Sequence, residues 1–327
     1  MKSPFTGGEA ILCHEIRQDV FRKDVFSYMY QYYRCMDTDE AFTTTALDAA
    51  STAQIYNQYR VKYGIPFPDE IKSVRAKYNL SASKMARVLG FGENTYRLYE
   101  NGEMPSIAHG KTLKAIQSAE VFRRYLEDAQ RELTDNEYKK AIAKICADEN
   151  NWERQFAQMT IFGSSCIGAS NGYTQQRVSR LKNVILYFIE HLGGVFVTKM
   201  NKLLFYADFA AYRNLGQGIT GLSYQAIQYG PVPANWDVVY GMIDDIEQDI
   251  VDFGNGNSGQ KLTSKLSCDI SSLTEEQIGI LELVCHTFAK DTAGSISQKS
   301  HEEAAWINNV GTHQLIDFND AFSLKAI

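Results

Sequence analysis

The sequence lacks most features that would mark a membrane, secreted or catalytic protein. No apolar run reaches the roughly 18 residues needed to cross a bilayer. Behind Lys2 there is no long apolar core, so the start does not read as a signal peptide. The cysteines of this 327-residue chain (Cys13, Cys35, Cys146, Cys166, Cys268 and Cys285) are too scattered for a disulfide framework. They read as free thiols of a cytoplasmic protein. There is no phosphate loop, dinucleotide fingerprint, Ser-His-Asp order or complete metal motif. "GNGNSG" is glycine-rich but lacks the strand-then-helix context and the lysine of a phosphate loop, and "HEEAA" lacks the second histidine of a zinc protease. The chain is therefore expected to bind rather than catalyse, without a cofactor.

Charge is unevenly spread. The net charge is −6, yet Ile71 to Arg124 carries ten Lys/Arg against four Asp/Glu, a local +6. Such a module is either a solvated helical surface or the electrostatic footprint of a nucleic-acid site.

The periodicities predict a mainly α protein with small β elements (α+β). Strands are expected over 9–17 and 25–35, the second placing Phe26, Tyr28, Tyr30 and Tyr32 on one face. A helix over 45–63, or a partner, is expected to cover that face. Five short helices follow within 67–132. A capping box at Thr134 and Glu137 opens a helix running to about 159, and a small, polar stretch to 177 reads as linker. Beyond it come helices over 178–192 and 198–214 and a strand ending in "YGPVP". Then come a hairpin tipped by "GNGNSG" and helices boxed at Thr274/Gln277 and Ser300/Glu303. The divisions expected are 1–66, 67–132, 133–177 and 178–327.

"LSASKMARVLGFGENTYRLYENG" is the most informative stretch. Ala86 suits a close helix crossing, Gly90 a turn, and Leu89 and Leu98 an apolar clasp. The following helix begins near Gly92–Glu93 and exposes Glu93, Asn94, Thr95 and Arg97. Asn pairs bidentately with adenine and Arg with guanine, and the first turns of a recognition helix enter the major groove. Ser81, Ser83 and Lys84 suit phosphate oxygens, and Arg75, Lys77 and Arg87 would add sequence-independent affinity. The pattern resembles the Xre/Cro type of helix-turn-helix. The partners expected from it are double-stranded operator DNA and a second copy of the chain.

"SPFTGGE" and "YRCMDTDEAFTTT", followed by that module, resemble the N-terminal half of MqsA-like antitoxins, in which two Cys-x-x-Cys knuckles bind zinc. The ligand positions fall on Ser3, Thr6, Cys35 and Thr38. Hydroxyls do not deprotonate at neutral pH, so zinc is not expected. Cys13, His14 and Cys35 offer the one rearranged alternative. The family's base-reading arginine falls on Leu98, so its operator does not carry over.

"KLLFYADFAAYRNLGQGITGLSYQAIQYGPVP" and, later, "SHEEAAW" resemble the SocA-like or Panacea antitoxin-associated domain. The resemblance implies a toxin-binding protein and marks Lys202, Tyr206, Asp208, Tyr229, Pro231, His301 and Trp306 as partner-binding. Read from the residues alone, His301 and Trp306 are as well explained as core anchors. The acidic "DDIEQDIVD" suits either a basic partner or a solvated helix edge. Three functions fit: an antitoxin that also represses its operon, a regulator without a toxin, and a proteolytic adaptor.

Overall fold

The computed structural model describes residues 1–148, 152–163, 166–254, 256–312 and 314–327. It is mainly helical with three small antiparallel sheets among the described residues. The single helix expected over 134–159 crosses residues 149–151, which lie outside the described residues. So do Ser164 and Ser165 of the expected linker and Asn255 of the hairpin tip. Two compact units form, one from Met1–Ile55 with Phe156–Ile327, the other from Tyr56–Gln155.

The first unit begins with a long hairpin. Strands β1 (Ala10–Phe21) and β2 (Asp24–Cys35) pair without a break from Ala10↔Cys35 to Phe21↔Asp24. They join through Arg22 and Lys23, both at positive φ, the turn hand that matches strand twist. Strand β3 (Ala41–Phe42) adds to the other side of β2. Helix α1 (Thr45–Tyr63) meets β2 at its edge, where the Gln54 amide accepts from the Met29 N–H at 2.9 Å and donates to its carbonyl at 3.0 Å. The tyrosine face stays half-buried, with the Arg17 guanidinium 3.6 Å above the Tyr30 ring.

The second unit holds α2 (Pro68–Lys77), α3 (Ala82–Val88), α4 (Thr95–Glu100), α5 (Ile107–Ala115), α6 (Ala119–Asp128) and α7 (Asp135–Asp148). These are the five short helices the sequence indicates, plus the start of the next. Tyr78 stacks on Phe122 at 4.0 Å, and the wholly buried Tyr96 donates its hydroxyl to the Ile71 carbonyl. The buried Arg60 bonds the carbonyls of Pro66 and Gly102, holding the proline break.

Helix α8 (Trp152–Phe162) returns the chain to the first unit, which is built around α9 (Val178–Leu192) and α10 (Val197–Leu215). Every residue of α10 from Lys199 to Tyr212 is buried, as befits a helix covered on all sides. Phe205 and Phe209 pack edge-on against Tyr224, and Phe318 stacks on Phe209. Strands β5 (Tyr224–Ile227) and β6 (Gly230–Pro233) form a hairpin where the sequence suggested one strand and a proline turn. Strands β4 (Val195–Phe196), β7 (Glu247–Gly254) and β8 (Asn257–Thr263) make a sheet in the order β4–β8–β7. The acidic stretch therefore runs into a strand, not a helix edge. Helices α11 (Glu275–Phe288), α12 (Ala293–Ser300) and α13 (Ala304–Ile307) close the unit.

Candidate nucleic-acid and partner interfaces

Ser3, Thr6 and Thr38 gather round Cys35. Cys35 is 1% exposed, and Thr6 Oγ1 lies 3.6 Å from its sulfur. The hydroxyls of Ser3, Thr38 and Thr6 pull the Cys35 thiol down to about 6, because each favours a thiolate acceptor. One thiol and three hydroxyls do not make a zinc site, since zinc requires anionic or imidazole donors. The alternative set is not assembled either. Cys13 and His14 are neighbours on β1 and so point to opposite faces of the hairpin.

In the stretch read as a helix-turn-helix, Ser81 caps α3 by accepting from the Lys84 N–H, and Met85, Ala86 and Val88 are buried. Tyr96 and Tyr99, three apart, form the buried stripe of α4. Leu98 is not part of the clasp. It is 45% exposed, because the two tyrosines already occupy the inner face and Leu98 falls between them on the outer one. Glu93, Asn94 and Arg97 share that exposed region, with Thr95 half-buried. The Arg97 guanidinium donates to Asn94 Oδ1 at 2.6 Å, which holds the two side chains together.

Several cations are already engaged. Arg75 bonds Glu100 at 2.6 Å and the Leu80 carbonyl at 3.1 Å, so it braces the module rather than facing outward. Lys84 reaches the Glu132 carbonyl and lies 3.5 Å from Glu137, Arg87 pairs with Glu93, and Ser81 shares a hydrogen bond with Ser83. Lys72, Lys111 and Lys114 remain exposed.

The C-terminal motif residues sit mainly inside the fold. Asp208 is wholly buried and accepts from the N–H groups of Ile219 and Thr220, the Thr220 hydroxyl and the Tyr224 hydroxyl. It thereby anchors the I-T-G turn. Burial pushes its carboxyl above the ordinary value, against the pull of those donors. Lys202, 0% exposed, donates to the Pro231 carbonyl at 2.9 Å and ties down β6, and desolvation lowers its ammonium to about 7. Gly230 passes so close that a Cβ there would lie 2.6 Å from Lys202 Cε, and its φ of +102° suits only glycine.

Tyr206 donates to Glu303, which also accepts from the N–H groups of Lys325 and Ala326. Glu303 is therefore turned inward, and the box expected at Ser300/Glu303 does not form. Instead α12 starts from a box between Thr292 and Ser295. His301 stacks on Trp306 at 4.2 Å, and Trp306 donates to the Ile227 carbonyl. Burial, with Lys202 nearby, lowers the His301 pKa. Among the seven motif residues only Tyr229 is broadly exposed, while His301 and Trp306 are half-buried.

A groove that sequence reading did not identify lies on the β4–β8–β7 sheet. It encloses about 870 Å³ between Phe196, Trp236, Ile250, Phe253 and the start of α12 at Thr292–Gly294. Ile250 is 75% exposed and Phe253 58%. The register shifts between Asp252 and Gly254, and Phe253 falls at that irregularity. Its ring packs over Gly259, where a Cβ would come within 3.0 Å, and 5.4 Å from the Phe196 ring. The rim of β7 carries Glu247, Asp249 and Asp252. The sequence signal was faint: Ile250, Val251 and Phe253 in an acidic strand, with Gly259 opposite Val251.

Residues 200–307 match the family model described as the antitoxin SocA-like, Panacea domain. That stretch takes in Lys202, Asp208, the β5–β6 hairpin, the groove's hairpin and Trp306. The match covers about a third of the chain and points to a toxin–antitoxin-associated role for that part. No curated protein and no solved structure matches the chain.

Proposed function

We propose that this protein is an antitoxin that neutralises a partner toxin by direct binding through its 178–327 domain. In the same reading it represses its own operon through the 67–132 module. The observation that carries it is an open apolar groove, lined in part by Trp236, Ile250 and Phe253, that overlaps the residues of an antitoxin-associated family match. The groove sets aromatic side chains beside an acidic strand rim, which suits an apolar segment flanked by basic residues. The buried motif residues Lys202, Tyr206, Asp208 and Pro231 shape this domain, and Tyr229, His301 and Trp306 offer it further surface.

The DNA reading is supported by the exposed Asn94–Arg97 pair and the local excess of basic residues. Modules of this type read paired half-sites, so two copies are expected on the operator. The test is co-expression with the adjacent reading frame. An antitoxin restores growth when that neighbour is induced. A neighbour that is harmless alone removes this reading and favours a regulator without a toxin.

A further inference from the structure

We infer that two copies of this chain join edge to edge through β1, making one sheet continuous across a twofold axis at Ile16. The proposal goes beyond the toxin and operator readings and stands if either fails. Strand β1 ends its sheet, and among the described residues no strand lies on its outer side. The backbone geometry says which groups face out. Ile16 lies opposite Met29, yet both backbone groups of Met29 are bonded to Gln54, away from β1. Ile16 and Met29 are therefore a non-hydrogen-bonded pair, and the N–H and C=O of Ile16 point outward. By alternation the same holds for Leu12, His14, Gln18 and Val20. The Val20 N–H is held by the neighbouring Asp19 carboxylate at 2.7 Å.

The two edges of the hairpin are treated differently. Gln54 covers the β2 edge, whereas β1 presents Leu12, Ile16 and Val20 at 47%, 74% and 65% exposure on one face. An unpaired twelve-residue edge strand that exposes apolar side chains is a template for another strand.

The sequence of β1 is self-complementary. Antiparallel pairing about Ile16 sets Ile16 on Ile16 of the second copy, Leu12 opposite Val20, His14 opposite Gln18, and Glu15 opposite Arg17. Outward backbone groups then meet outward backbone groups, which closes the ladder. Glu15 and Arg17 fall at non-hydrogen-bonded positions, where facing side chains approach most closely. Moving the axis to Glu15 or to Arg17 sets like charges against each other, so charge order disfavours these two neighbouring registers. Within one copy these two side chains already lie 2.6 Å apart, each 46% exposed.

Sedimentation equilibrium of the full chain tests the inference. Wild type is expected to dimerise, and Ile16→Lys to abolish dimerisation. Glu15→Arg or Arg17→Glu should each weaken the dimer about tenfold, and the two together should restore it. Ile16 is 74% exposed in a single copy, so the circular dichroism of Ile16→Lys should match wild type. A chain that is monomeric throughout the micromolar range overturns the inference. So does a dimer indifferent to Ile16→Lys, or a double reversal as weak as the single ones.

Discussion

The Tyr224 hydroxyl donates to Oδ2 of Asp208 at 2.6 Å, with both side chains wholly out of solvent. Three further donors from Ile219 and Thr220 converge on the same carboxylate. Asp208→Asn keeps the shape but leaves one acceptor oxygen for four donors. It is expected to destabilise the fold by roughly 3 kcal/mol, measured by urea unfolding. Unchanged stability with lost partner binding would instead make Asp208 a contact residue.

Lys202 gives a pH signature. Its folded-state pKa is about 7 rather than 10.5. Between those values the unfolded chain holds a proton that the folded chain has shed, so stability from this group rises with pH across that window. Wild type should therefore gain stability relative to Lys202→Met between pH 7 and 9.5. A constant difference between the two across that range would contradict the assignment.

Leu98→Ala separates a surface position from a core one. Leu98 is 45% exposed, so the change should alter stability by no more than about 0.5 kcal/mol. A clasp residue would cost about 2–5 kcal/mol. Thermal unfolding decides between them.

Arg97→Ala and Asn94→Ala should each weaken binding to the upstream operator about tenfold or more. Mobility-shift titrations at two salt concentrations are the check, because affinity from phosphate contacts should fall steeply with salt. Binding that is absent, or indifferent to salt, would remove the operator reading.

Much of the fold was legible where local chemistry decides it. The box at Thr274 and Gln277 and the alternating tyrosines of β2 form as their spacing indicates. Reading failed where distant segments compete. Glu303 has the spacing of a capping residue but is claimed by Tyr206 and the backbone of Lys325 and Ala326. Leu98 looked like core because it is apolar, yet Tyr96 and Tyr99 had already filled the inner face of α4. The groove was invisible because Phe196, Ile250 and Thr292 lie far apart in the chain, and a register irregularity sets the place of Phe253.

The most direct test of the antitoxin account is growth rescue by groove variants of the full chain, co-expressed with the adjacent reading frame. Wild type should restore growth, as should Arg97→Ala, whose change lies in the 67–132 segment and not among the groove's lining residues. Ile250→Lys with Phe253→Ser should fail to restore growth while folding normally by circular dichroism, both side chains being exposed. Full rescue by the groove variant, or no rescue by wild type, would contradict the account.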